Sequence, residues 1–63
     1  MKTFIVSAWP IDTSERIDEP EWEVSITANL LGVALEQGEL QFRTYCKEHE
    51  LDRSKFEIHA SNQ

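Results

Sequence analysis

The chain has 63 residues, a single cysteine and a formal net charge of −6. A chain this short builds one small core, so we expect a single domain over residues 1–63; the lone Cys46 excludes an internal disulfide and is typical of a reducing compartment. The negative charge disfavours direct contact with nucleic acid or with an anionic membrane surface, and it favours a basic protein partner.

The first predicted element is a strand over residues 3–9. The stretch TFIVSAW is rich in β-branched and aromatic residues and contains no helix breaker. Its apolar run ends before Pro10 and is too short for the core of a signal peptide or for a membrane-spanning helix. The sequence therefore predicts a cytoplasmic protein that does not bind a membrane.

An acidic connection follows the first strand. Residues 10–23 contain six of the twelve carboxylates and only one of the six basic side chains. Two prolines and several turn-forming residues indicate an irregular segment up to residue 20. From Glu21 to Ala28 apolar and polar residues alternate strictly, which predicts a half-buried second strand.

A helix is predicted after Ala28, because the spacing between apolar residues changes from two residues to about three and a half. Asn29 is a suitable N-cap, and Glu39 and Arg43 have the i,i+4 spacing of a helical ion pair. Gly38 lies within the apolar stripe, where close packing against the sheet would compensate its low helix propensity. The predicted stripe consists of Leu31, Leu35, Gly38, Phe42, Tyr45 and His49.

A third strand is predicted in the stretch KFEIHAS, residues 55–61, where apolar and polar side chains alternate again. A crossover through the helix makes the third strand parallel to the second, and the first strand then lies between them, antiparallel to both. The predicted fold class is α+β: a small β-β-α-β domain whose three-stranded antiparallel sheet has the order 2-1-3 and carries one helix on one face.

The sheet face turned away from the helix is the first candidate site. Alternation places Ile5 and Trp9 in the centre of this uncovered face. An exposed tryptophan in an apolar centre is typical of protein interfaces, whereas the simpler interpretation is a solvated face with two incidental apolar residues. The predicted partner-binding residues, which include the acidic connection, are Ile5, Trp9, Asp12, Glu15, Asp18, Glu19, Glu21 and Glu23.

The acidic connection also contains a possible mimic of a nucleic-acid backbone. Glu19, Glu21 and Glu23 stand two residues apart, and Pro20 favours an extended conformation before it. On one side of a strand such carboxylates are roughly 6.6–6.8 Å apart, a regular negative row that can occupy the groove of a nucleic-acid-binding protein. The alternative is an acidic connection that only keeps the protein soluble. The spacing of an EF-hand calcium loop is absent.

Metal binding and catalysis are less favoured by the sequence. Cys46 and His49 have C-x-x-H spacing and His59 is a third candidate ligand, but a structural zinc site needs four ligands. Ser54, Asp52 and His59 are the residue types of a hydrolase triad, yet no nucleophile-elbow motif surrounds the serine. We therefore expect no cofactor, no bound metal and no enzymatic activity.

The predicted function is that of a non-catalytic acidic binding protein that blocks a basic, nucleic-acid-binding partner through its acidic connection and open sheet face. In size, acidity and lack of catalytic residues the chain resembles the small proteins that phages and mobile elements use to inhibit nucleic-acid-binding machinery of the host. Two alternatives stay open. One is a homodimeric structural or accessory protein whose open face is covered by a second copy, and the more distant one is a small metal-binding domain.

Overall fold

The computed structural model describes residues 1–11 and 19–62 of the chain. Over these residues three strands and one long helix follow one another in the order β-β-α-β. Within the same ranges no helix combines the length and the hydropathy that a membrane crossing requires. A 3₁₀ turn, Arg53–Lys55, precedes the last strand. The elements are β1 (Lys2–Pro10), β2 (Trp22–Ala28), α1 (Leu31–Glu48) and β3 (Phe56–Asn62).

The three strands form one antiparallel sheet with β1 in the middle. Val6 of β1 lies opposite Val24 of β2 and Ala60 of β3. Phe4, Val6 and Ala8 point toward the helix and are at most 3% exposed. The most apolar strand therefore takes the position with a neighbour on each side. The predicted fold class and the strand order 2-1-3 are confirmed.

The helix packs on the sheet through a row of residues that the sequence identified only in part. Ala34, Gly38, Phe42 and Cys46 are buried, and they follow one another at intervals of four residues. The predicted stripe is correct at Gly38 and Phe42, but its two ends are wrong, since Leu31 is 45% exposed and His49 is also exposed. Leu31 is the first residue of α1 and His49 follows its last. The contact is made by small and aromatic residues along the helix, not by those two ends.

The close approach predicted at Gly38 is confirmed. A Cβ atom on Gly38 would lie 3.1 Å from Cβ of Val6 and nearer still to its Cγ1. Val6 is fully buried in the central strand. The absence of a side chain at Gly38 thus permits the helix backbone to approach β1, which compensates the helix propensity that a glycine lacks.

The start of the helix differs from the prediction. The N-cap is Leu30, in an extended conformation and without a side-chain cap, and not Asn29. The first helical hydrogen bond is donated by the Ala34 backbone N–H to the Leu30 carbonyl at 3.2 Å. Because β2 continues to the buried Ala28, only residues 29 and 30 connect strand to helix, and Asn29 lies one position too early to cap.

A bidentate ion pair connects the helix to the start of β3. Arg53 donates from Nε and Nη2 to the two carboxylate oxygens of Glu39, each at 2.5 Å, and from Nη1 to the Phe56 carbonyl at 2.7 Å. The guanidinium also lies over the Phe42 ring, 5.7 Å from its centroid. The predicted pair between Glu39 and Arg43 is present at 3.6 Å, but the Arg43 side chain is 65% exposed. The longer-range contact with Arg53 therefore has the better geometry.

Candidate functional site

The sheet face opposite α1 is the candidate site, and we call it the open face. Alternation along β1 turns Ile5 and Trp9 away from the helix, and both are half-buried although no described element lies over them. Their neighbours on β2 and β3 point to the same side because the register pairs them directly. The ten residues of the open face are Thr3, Ile5, Ser7, Trp9, Glu23, Ser25, Thr27, Glu57, His59 and Ser61.

The Trp9 side chain is held in place on this face. Its indole Nε1–H donates a hydrogen bond to Oγ of Ser7, two residues earlier on the same side of β1, at 3.0 Å. The indole therefore lies along the strand, between the level of Trp9 and the level of Ser7. A large aromatic surface that is already oriented loses less conformational entropy on binding than a freely rotating one.

The ionisable side chains of the open face are two glutamates and one histidine. Glu23 lies opposite Ser7 on β2, and Glu57 lies opposite Trp9 on β3. His59 lies on the other side of Ser7, with its Nε2 3.1 Å from Oε1 of Glu57. None of the ten residues is a lysine or an arginine. The face therefore combines an apolar centre with two carboxylates, one of which is paired with a histidine.

The predicted acidic residues fall into three groups. Asp12, Glu15 and Asp18 lie outside the described residues. Glu19 and Glu21 precede β2, where the backbone bends, and the Glu21 N–H donates to the Ala8 carbonyl at 2.9 Å. Glu23 alone of the predicted carboxylates belongs to a described strand. The evenly spaced row of Glu19, Glu21 and Glu23 is therefore wrong, because it requires an extended backbone from residue 19 onward.

The candidate metal ligands do not converge. Cys46 lies on the sheet-facing side of α1 in a buried group with Ala8 and Phe42, and this burial raises the pKa of its thiol. His59 lies on the opposite side of the sheet, and His49 is exposed with its ring 4.2 Å from that of Tyr45. No group of three potential ligands is found within residues 1–11 and 19–62. The metal-binding alternative thus loses the ligand set on which it depended.

Ser54 and Asp52 have a local structural role. Asp52 Oδ1 accepts hydrogen bonds from the Ser54 hydroxyl at 2.7 Å and from the Ser54 backbone N–H at 3.0 Å. These bonds close the 3₁₀ turn and hold the pKa of the Asp52 carboxyl below its usual range. His59 is paired with Glu57 on the open face. The three residue types of a hydrolase triad are therefore not assembled as a triad.

A shallow pocket of about 500 Å³ lies at the end of the sheet where β1 stops and β3 starts. Three apolar and three charged residues line it, a feature that the sequence did not indicate. A nucleophile paired with a base is absent from the residues that line it. These are Pro10, Glu50, Leu51, Asp52, Lys55 and Phe56.

No protein-family model, no curated protein and no solved structure matches the chain. Among the described residues, the open face is where partly exposed aromatic surface lies beside carboxylates, with no lysine or arginine on the face.

Proposed function

We propose that the protein is a non-catalytic binding protein that holds a basic protein partner on its open face. The observation that carries the proposal is the composition of this face: Trp9 and Ile5 in the centre, Glu23 and Glu57 beside them, and no lysine or arginine among its ten residues. Tryptophan is enriched among the residues that dominate binding energy at protein interfaces. Complementary charge raises the association rate and selects against partners of the wrong sign.

The class of partner follows from the same charges. Proteins that bind nucleic acid present clustered lysine and arginine side chains, so an acidic surface with an aromatic centre competes for the same basic groove. Under this proposal the protein acts as an inhibitor, and Glu21 and Glu19, which precede β2, add negative charge beyond Glu23. The backbone bends at Glu19 and Glu21, so this role depends on the sign of the charge and not on a regular spacing of carboxylates.

The test compares two pairs of charge-neutralising substitutions. The open-face variant carries Glu23→Gln and Glu57→Gln, and the control carries Glu36→Gln and Glu48→Gln on exposed positions of α1. Each protein is immobilised, and the proteins that it retains from lysate are quantified by mass spectrometry at low and high salt. We expect basic nucleic-acid-binding proteins to be retained by the wild type and the control at low salt, and to be lost from the open-face variant.

The inhibitory role is tested with the retained protein after purification. Addition of the acidic protein should displace that partner from nucleic acid, and addition of the open-face variant should not. Equal loss of the partner from both double variants would show that net charge alone matters, and undiminished retention by the open-face variant would place the site elsewhere on the molecule.

A further inference from the structure

We infer that the open face recognises a basic amphipathic helix, one with two cationic side chains roughly 11 Å apart along its axis and an apolar side chain between them. This inference rests on the proposed function and specifies the chemistry of the partner. It depends on three observations: the relative positions of Glu23 and Glu57, the orientation of the Trp9 indole, and the width of the sheet.

The register determines where the two carboxylates stand. Glu23 lies opposite Ser7 on one side of β1, and Glu57 lies opposite Trp9 on the other side. They are separated by two strand spacings, about 9.6 Å, and by two residues along the strand, about 6.7 Å, so their Cα atoms are roughly 12 Å apart on a diagonal. Because side chains stand roughly perpendicular to a sheet, we expect a similar separation between the two carboxylates, which suits two cations better than one.

The apolar surface lies between these carboxylates. The middle of the diagonal falls on β1 between Ser7 and Trp9, and the hydrogen bond from Trp9 Nε1 to Ser7 Oγ holds the indole over that stretch. An apolar side chain of the partner placed between its two cations would therefore meet the indole.

A helix has the required dimensions. Residues i and i+7 of an α-helix lie on the same side about 10.5 Å apart, and residues i+3 and i+4 lie between them on that side. One helix is also wide enough, because α1 alone contacts all three strands on the other side of this sheet. A helix with arginine or lysine at i and i+7 and leucine at i+3 and i+4 therefore matches the open face.

A second copy of the chain is a poorer occupant of this face. Face-to-face packing of two copies would bring four carboxylates and two histidines together without a lysine or an arginine from either open face. Like charges that face each other across an interface cost several kcal/mol. Charge complementarity thus favours a basic partner over self-association.

The experiment uses three synthetic fluorescent peptides of equal net charge and length in an alanine–glutamine background. The matched peptide has arginine at i and i+7 with leucine at i+3 and i+4; the permuted peptide has the same composition with the arginines at i and i+3. The third contains proline at the centre of the matched sequence and cannot form a continuous helix. Binding to the full chain is measured by fluorescence anisotropy at low salt.

We expect the matched peptide to bind at least about fivefold more tightly than the permuted peptide, because the permuted peptide loses one ion pair and the apolar contact beside it. The proline peptide should bind as weakly as the permuted one. Glu23→Gln and Glu57→Gln should each lower the affinity for the matched peptide by a similar factor, and Trp9→Ala should lower this affinity more. Glu36→Gln and Glu48→Gln on the helix should leave the affinity within about twofold of the wild type. Circular dichroism of every variant confirms that the fold is retained.

The outcomes separate this inference from the proposed function. If all three peptides bind equally and the open-face variants weaken all of them, the spacing is wrong and the open face is still a binding site for basic partners. If the proline peptide binds as tightly as the matched one, the partner segment is not helical. If the open-face variants bind the peptides as the wild type does, or if the helix controls lose as much affinity, both the inference and the proposed function are overturned.

Discussion

Gly38 and Val6 show how one residue determines the position of the helix. The gap between them is too small for a methyl group, and Val6 is fully buried in the central strand. Because protein cores are packed to the density of organic crystals, an added atom at this point has to displace its neighbours. The distance between α1 and the sheet, and with it the shape of the covered face, depends on this contact.

We expect Gly38→Ala to destabilise the protein by about 1–2 kcal/mol, because overpacking against Val6 exceeds the gain in helix propensity. Urea unfolding followed by circular dichroism measures the change. Gly32→Ala is the matched control: no atom lies within 4 Å of its added Cβ, so it should stabilise the same helix by up to about 1 kcal/mol. In a Val6→Ala background the Gly38→Ala change should no longer be destabilising. Stabilisation by Gly38→Ala in the wild-type background would contradict the close approach.

At the scale of elements, the ion pair between Glu39 and Arg53 connects α1 to the 3₁₀ turn that leads into β3. Both side chains are less than a third exposed, and the pairing is bidentate. Hydrogen bonds from the Arg53 guanidinium hold the pKa of the Glu39 carboxyl below its ordinary value of 4.5, and the carboxylate raises the pKa of Arg53 in turn. Arg53 also donates to the Phe56 carbonyl, and the Phe56 ring lies edge-on to the Phe42 ring with the two ring centroids 5.4 Å apart.

The pair should make stability depend on pH in one direction. The folded-state pKa of Glu39 is lower than its unfolded-state value, so the stabilisation is fully present above pH 4.5 and is lost as the pH falls through the folded-state pKa. We expect Glu39→Gln to cost about 1 kcal/mol at pH 7 and to cost progressively less in the acid range. Urea unfolding at a series of pH values checks this. Glu36→Gln, an equal charge change at an exposed position, should show no such trend. A cost of Glu39→Gln that stays constant down to the lowest pH would refute the role of the pair.

At the scale of the whole molecule, the described residues form two layers with different surfaces. The helix covers one face of the sheet, and the core lies between them in two connected groups around Val6 and Phe42. The other face leaves Trp9 and Ile5 half-buried next to carboxylates. The same alternation along β1 therefore supplies both the core and the candidate binding surface.

We expect the chain to be a monomer at micromolar concentration, because its open face offers no cation to a second copy. Light scattering coupled to size-exclusion chromatography should give the mass of one chain for the wild type and for Trp9→Glu. The opposite result, a wild-type dimer that Trp9→Glu converts to a folded monomer while Leu40→Glu on the exposed side of the helix does not, would favour the homodimeric accessory protein.

Composition, periodicity and chain connectivity in the sequence were enough to predict the elements, their order and the strand arrangement. Strand propensity in residues 3–9 and alternation in residues 21–28 and 55–61 predict the strands, and the two-residue repeat of a strand then predicts which side chains share a face, including Ile5 and Trp9 on the open face. The helical crossover then limits the sheet to the observed order. These features depend on relations between residues that are close in sequence, or on chain connectivity, and both can be read without coordinates.

Tertiary packing decided the contacts between elements. The row of α1 that is buried, with Ala34 and Cys46 in place of Leu31 and His49, depends on which side of the helix approaches β1 most closely. The pair of Glu39 with Arg53 joins residues fourteen positions apart. The register of the strands places Glu23, Glu57 and His59 around Ser7 and Trp9, and it leaves Cys46 and His59 on opposite sides of the sheet. A repeating pattern within one element specifies its faces but not how far it slides or rotates against its neighbours, since that position is set by how all the core side chains pack together.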